Sequence, residues 1–471
     1  MSPGPTDSPG PPDVAAVLAE LRHWIGANWD PELGLAAWRQ RLADSGWACP
    51  DWPRDCCGLG LPAAVAAQVA AALAAARIPG PPEGVGVVLA APVIIEHGSE
   101  DLKSRLVRAT VTAELMWCQL FSEPGAGSDL AGLSTRAEPD GAGGWLVTGQ
   151  KVWSTGAATA DFGLLLARTD VDVPKHEGIT AFALPMRQPG VQVRPLRQMN
   201  GHASFNEVFL DGAWVPAGNV IGRPGDGWRV ARATLARERR LATSVVRPAP
   251  GTASGAPGAS GAPGASGAPG ASVVLGESGA AGAAGAAGAA GAAGAAGDAA
   301  EGLAWREAIA ERVAAAEPHK WYPQRAGRAD LITERARAEG LAADPLVRQE
   351  IARLTELAWS ARWTAARASA ARAAGQAPGP EGSLGKLASS RIARQAARVH
   401  AMIAGPSAML TGAGSPLDGV IAEITLSVPA ISIAGGTDEI QRTIIAERIL
   451  GLPREPDTGR DLPFRDLPHN G

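Results

Sequence analysis

The sequence predicts an α+β chain in three parts: an N-terminal helical domain, a central β-domain and a C-terminal helical bundle. Three observations predict it. Apolar residues recur at helical spacing up to about residue 117, switch to an alternating pattern, and return to helical spacing after about residue 225. At 471 residues the chain exceeds one ordinary core. Apolar residues at 46% and charged ones at 19% are enough to bury such cores and still dissolve the surface. The expected boundaries are a disordered Pro/Gly/Ser-rich start (1–12), helices (13–117), strands (118–225), helices again (226–455) and a tail (456–471).

In the first part, Val14, Val17, Leu18, Leu21 and Ile25 mark one face of an amphipathic helix. Residues 38–46 repeat the pattern, CPDWPRDCCGLGLP breaks it, and residues 63–77, 85–97 and 101–117 resume it. FSEPGAGSDL then reads as a tight loop whose backbone N–H groups can approach an anion or a carbonyl. Beyond it, Trp145, Val147, Gly149, Lys151 and Trp153 alternate with Leu146, Thr148, Gln150 and Val152, the pattern of a strand with two faces. An apolar run at 162–166 and strand signals at 179–184, 191–196 and 205–210 follow.

The helical pattern restarts with GDGWRVARATLARERRLATSVV. It is interrupted at about 248–300, where Gly recurs every third residue among Ala, Ser and Pro. The triplets are few and Pro is absent from the second block, so a flexible, disordered insert is favoured over a collagen-like helix. Helices resume near Ala304 and again from Pro345, where Ile351, Leu354, Leu357 and Ala358 form a stripe continued by Trp363 and Ala366. Another spans 382–405. The last opens with Thr437 as N-cap and Asp438 and Glu439 in its first turn, with Ile440, Ile444, Ile445 and Ile449 expected inward.

Composition excludes several classes. A net charge of −4 offers no excess of Lys or Arg for a nucleic acid. Cys49, Cys56, Cys57 and Cys118 have no metal-ligand spacing and read as reduced, buried small hydrophobes, so no metal is expected. No basic-then-apolar leader and no apolar run of spanning length occurs, so a cytoplasmic protein without membrane contact is expected.

The string SEP-x-AGSD, then G-x-K-x-W, an AD step and ARTD resembles the middle domain of the acyl-CoA dehydrogenase family. It is carried by residues 122–124, 126–129, Gly149, Lys151, Trp153, Ala160, Asp161 and 167–170. The phrase at 46–61, the FNEVFLDGAWVPAGNVIG stretch at 205–222 and GGTDEIQR at 435–442 are similar to further family phrases. The resemblance implies an acyl-CoA dehydrogenase-like fold and FAD as cofactor. It implies an acyl-CoA substrate, an electron-transfer flavoprotein as acceptor, and a homodimer or tetramer, or a heteromer. It places Gln119, Leu120, Phe121, Ser122 and Ser128 near the flavin ring and pyrophosphate, Trp153, Ser154 and Thr155 against the ring, and Thr437 and Glu439 at the last helix. Ser128 and Arg239 are the implied substrate contacts.

The family's reaction takes a proton from the α carbon of the thioester, which needs a carboxylate desolvated toward working pH, and a hydride from the β carbon, which goes to flavin. Many members carry that base in a Y-E-G-T phrase, but here Ala434, Gly435, Gly436 and Thr437 stand there. A smaller branch, including isovaleryl-CoA dehydrogenase, carries it in L-x-x-E-R, matched by LARER with Glu238 as the implied base. The alternative for Glu238 is a solvated helix residue among arginines, and for Trp153 a plain core aromatic. An R-x-x-FG phrase has no counterpart near 338–345, and AMLTGAG at 408–414 departs from the family's pattern. A non-catalytic partner subunit of a heteromeric dehydrogenase therefore stands as the second expectation.

Overall fold

The computed structural model describes residues 13–244, 302–374, 376, 379–456 and 459–468. The expectations for residues 1–12 and for the insert lie outside the described residues.

Five helices come first: α1 (Val14–Asn28), α2 (Leu35–Asp44), α3 (Ala63–Ala75), α4 (Ala91–His97) and α5 (Glu100–Val111). Asp13 caps α1 by accepting from Ala15 N at 2.9 Å, and Ser99 caps α5 by accepting from Leu102 N at 3.2 Å. A π-helical stretch, Gly86–Ala90, leads into α4. The helix expected to reach residue 117 stops at Val111 because Ala113 turns to φ +67°, and Trp117 already opens a strand.

The sheet holds β1 (Trp117–Leu120), β2 (Arg136–Pro139), β3 (Gly144–Thr155), β4 (Phe162–Arg168), β5 (Ile179–Pro185), β6 (Val191–Leu196), β7 (Phe205–Pro216) and β8 (Val220–Ile221). Its order is β6-β7-β3-β2-β4-β5-β8, with β1 parallel to β4. Short β1, β2 and β8 were not legible as strands, being too brief to show a period. The apolar run in β4 is explained by burial on both faces. Leu164 and Leu166 pack against α4, α5 and the helix that follows the sheet, and Leu165 and Ala167 pack with Phe182 and Val208 on the other side.

The second helical part comprises α6 (Gly227–Ser244), α7 (Leu303–Ala316), α8 (Tyr322–Arg325), α9 (Ile332–Ala338), α10 (Pro345–Ala373), α11 (Glu381–Ala404), α12 (Val420–Ser427) and α13 (Asp438–Arg448). α7 follows the insert but packs into the first helical core. Ala304 and Ala308 lie with Leu21, Trp38 and Leu42, and Glu307 Oε2 accepts from Leu35 N at 2.6 Å. Arg39 donates to both oxygens of Glu311, at 2.7 and 2.9 Å.

Two expectations about helix faces fail. On α10, Leu354 is buried, but Trp363 is 64% exposed and Ala366 is exposed. On α13, Thr437 is the N-cap, accepting from Ile440 N at 3.3 Å, yet Ile440, Ile444 and Ile445 are half-buried and Ile449 is exposed. The buried side is polar instead: Asp438 meets Arg394 at 2.9 Å and Lys386 at 3.5 Å, both from α11. The tail also docks. Phe464 is buried beneath the Arg168 guanidinium, 3.4 Å from the ring centre, and Phe464 N donates to Val173 O at 2.9 Å.

Candidate functional site

Lys151 and Glu123 give the site its frame. Lys151 is fully buried and donates to Glu123 Oε1 at 2.7 Å and to Phe121 O at 3.0 Å. Glu123 also accepts from Ser134 N at 2.7 Å and Thr135 N at 3.0 Å. Arg168, buried on β4, donates to Leu133 O at 3.1 Å and Ala131 O at 2.7 Å. The loop from Phe121 to Thr135 is thus pinned by two cations, Lys151 of β3 and Arg168 of β4. Burial pushes the Glu123 carboxyl up, but the Lys151 ammonium and the backbone donors outweigh it and hold the group at about 2. Burial pulls Arg168 down to about 10, still charged at neutral pH.

Trp153 sits where β3 leaves its register with β7. The shift falls between Lys151 and Ser154, and Trp153 takes φ +63° with 56% of its surface exposed. Strict alternation would have put Trp153 on the inward side with Lys151; the bulge reverses it, so Trp153 is not a core aromatic. Behind it, Asn206 donates to Ser154 O at 2.9 Å, and Ser154 Oγ, itself buried, has no hydrogen-bond partner among the described residues. Phe205 stands edge-on to Trp153 and belongs to a buried group with Trp321 and Tyr322. Thr155 is half-buried, opposite Phe205 in the ladder.

On β1 and just after it, Leu120 and Phe121 are buried, while Gln119 and Ser122 are half-buried. Val152 N donates to Ser122 O at 2.9 Å, so residues 119–122 and 153–155 form one rim. Ser128 lies exposed at the loop tip, next to Asp129, whose two oxygens accept from Lys175 at 3.0 Å each.

The remaining candidates lie on helices. Thr437 is engaged as the cap of α13, and Glu439 is exposed and paired with Arg442 at 3.0 Å. Gly435 has φ +66°, and a side chain there would meet open space. Glu238 is half-buried on α6, one residue after Arg237, which pairs with Glu96 of α4 at 3.0 Å. The Arg239 side chain lies outside the described residues. α6 and α13 both pack against α11. Sequence reasoning gave no role to Asn206, Phe205 or Phe464. Phe205 and Asn206 stood inside a quoted phrase, whereas Phe464 sits in a Pro-rich stretch without periodicity.

Among the described residues no cluster of His, Cys, Asp or Glu could hold a metal, and no helix is long and apolar enough to cross a membrane. The chain matches the acyl-CoA dehydrogenase N-terminal domain over residues 16–114, the middle domain over 118–213 and the C-terminal domain over 328–450. Acyl-CoA dehydrogenase FadE34 of Mycobacterium tuberculosis is 35% identical over 94% of this chain and 48% of the relative, so the chain spans about half that protein's length. Acyl-CoA dehydrogenase IpdE1 of the same organism is 31% identical over 94% of this chain and 99% of the relative. Among solved structures, the Tcur3481-Tcur3483 steroid ACAD has a TM-score of 0.58 at 21% identity, covering 94% of this chain and 98% of that one. The ChsE4-ChsE5 complex from Mycobacterium tuberculosis has 0.58 at 21%, covering 96% and 100%. The FAD complex of PigA has 0.53 at 19%, covering 93% and 94%. Taken with the three domain matches, the near full-length likeness to IpdE1 makes this chain a member of the acyl-CoA dehydrogenase family, whose cofactor is FAD.

Proposed function

We propose that the chain dehydrogenates an acyl-CoA thioester between its α and β carbons, with Glu238 as the base and FAD held at the rim of β1 and β3. One observation carries the choice of base: Gly435 offers no side chain, while Glu238 stands half-buried on α6. Two features support the fit to FAD. The Trp153 ring is presented outward by a strained backbone, and the buried Ser154 hydroxyl is left over for a ligand. Bound FAD supplies the acceptor for the hydride leaving the β carbon.

The chain's own residues do the rest. Glu238 takes the α proton. Ser122 and Ser128 offer hydroxyls at the loop, Thr155 and the N-terminus of α13 with Thr437 and Glu439 offer further polar contacts, and Arg239, next in sequence to the base, is the proposed substrate contact. An electron-transfer flavoprotein is the proposed acceptor, and the working assembly is proposed as a homodimer or tetramer. A heteromer is the second reading, favoured by the likeness to the ChsE4-ChsE5 complex.

The test is Glu238→Gln, which keeps size and hydrogen bonding but removes the base. FAD and acyl-CoA should still bind while flavin reduction slows at least about a thousandfold. A change within about threefold, the scale of a surface substitution, would reject Glu238 as the base.

A further inference from the structure

Glu123, Lys151 and Arg168 are charges in the family-like string to which the flavin reading gives no role, and the fold collects them into one cluster. The Lys151 side chain is 0% exposed and that of Glu123 4%. A buried ion pair is a poor source of stability, since uncharged side chains of similar volume often serve equally well or better. What an apolar replacement could not do is hold the Phe121 carbonyl, which accepts from Lys151 Nζ at 3.0 Å. The next carbonyl, Ser122 O, accepts from the next residue of β3, Val152 N, at 2.9 Å. Two successive peptides of the loop are therefore fixed by two successive residues of the strand, directly before the bulge that turns Trp153 outward.

We propose that Lys151 is a positioning residue. Its ammonium sets the Phe121–Ser122 backbone relative to Trp153 and Ser154, and Glu123 balances the buried charge. Lys151 touches no substrate and no reacting atom; it acts through the two flavin-facing segments it ties together. This rests on the flavin reading of the rim given above.

Stability and flavin binding separate in two variants of the full chain. Glu123→Gln leaves a buried ammonium without its anion but keeps its bond to Phe121 O. Glu123→Gln with Lys151→Met removes both charges and that bond. The melting temperature should fall more in the single variant than in the double. FAD affinity should run the other way, staying within about threefold of the unmutated chain in the single variant and weakening about tenfold or more in the double, since small misplacements of a site are costly. The visible band of the residual bound flavin should also change shape in the double variant alone. If FAD affinity simply follows melting temperature across the two variants, Lys151 is structural and the proposal is overturned. If the unmutated chain binds no added FAD, the flavin reading itself fails first and takes this inference with it.

Discussion

Gly149 lies two residues before Lys151, and a Cβ there would come within 2.7 Å of Thr135 Cα and 2.4 Å of its Oγ1. The backbone of the pinned loop leaves no room for it. Gly149→Ala should therefore destabilise the fold by about 1–3 kcal/mol, read as a lower urea midpoint with an unchanged slope. Glu123 gives a pH prediction. Its folded value of about 2 lies below its ordinary 4.5, so its contribution is complete above about 4.5 and lost as pH falls through about 2. Acid titration of stability should be flatter over that interval in Glu123→Gln than in the unmutated chain. An unchanged slope would mean that the carboxyl is not held by its partners. The residue scale is also where the sequence misled most: alternation assigned Trp153 to the face of Lys151, and a two-residue bulge cannot be read from periodicity.

Among the elements, α6 matters most because it carries the proposed base, Glu238. Its first residue, Gly227, sits against the β5 backbone, where an added Cβ would meet Ile179 and Thr180 atoms at 2.7 Å. Gly227→Ala should push α6 off the sheet, slowing flavin reduction about tenfold or more while FAD stays bound. Reduction at the normal rate would show that α6 tolerates the shift. α7 is the element least legible in the sequence. Its position after the insert suggested the C-terminal bundle, yet Glu307 and Glu311 fasten it to α2. Glu311 is partly exposed, so Glu311→Ala should cost only about 1–2 kcal/mol, with hydrogen exchange rising in α2 and α7 together. The inward face of α13 was misjudged for a related reason: apolar spacing identified a helix correctly, but Asp438 and its cations decide which side faces α11.

At the scale of the whole molecule, the three-part α+β order was legible because the change of period is long and repeated. The rim was legible because its residues are contiguous in two phrases. The docking of Phe464 onto Arg168 was not, since nothing in a Pro-rich tail announces a partner some three hundred residues earlier. The insert at about 248–300 has a composition with no face to bury, so elastase should cut there first and a chain shortened across it should fold near-normally. Protection of that stretch in the intact assembly would contradict this. The most direct measurement for the account as a whole is anaerobic titration of the purified, FAD-loaded chain with acyl-CoA thioesters of graded size, steroid side-chain thioesters included. At least one thioester should bleach the visible flavin band. A fully loaded chain that none of them bleaches would contradict it and leave the partner-subunit reading in its place.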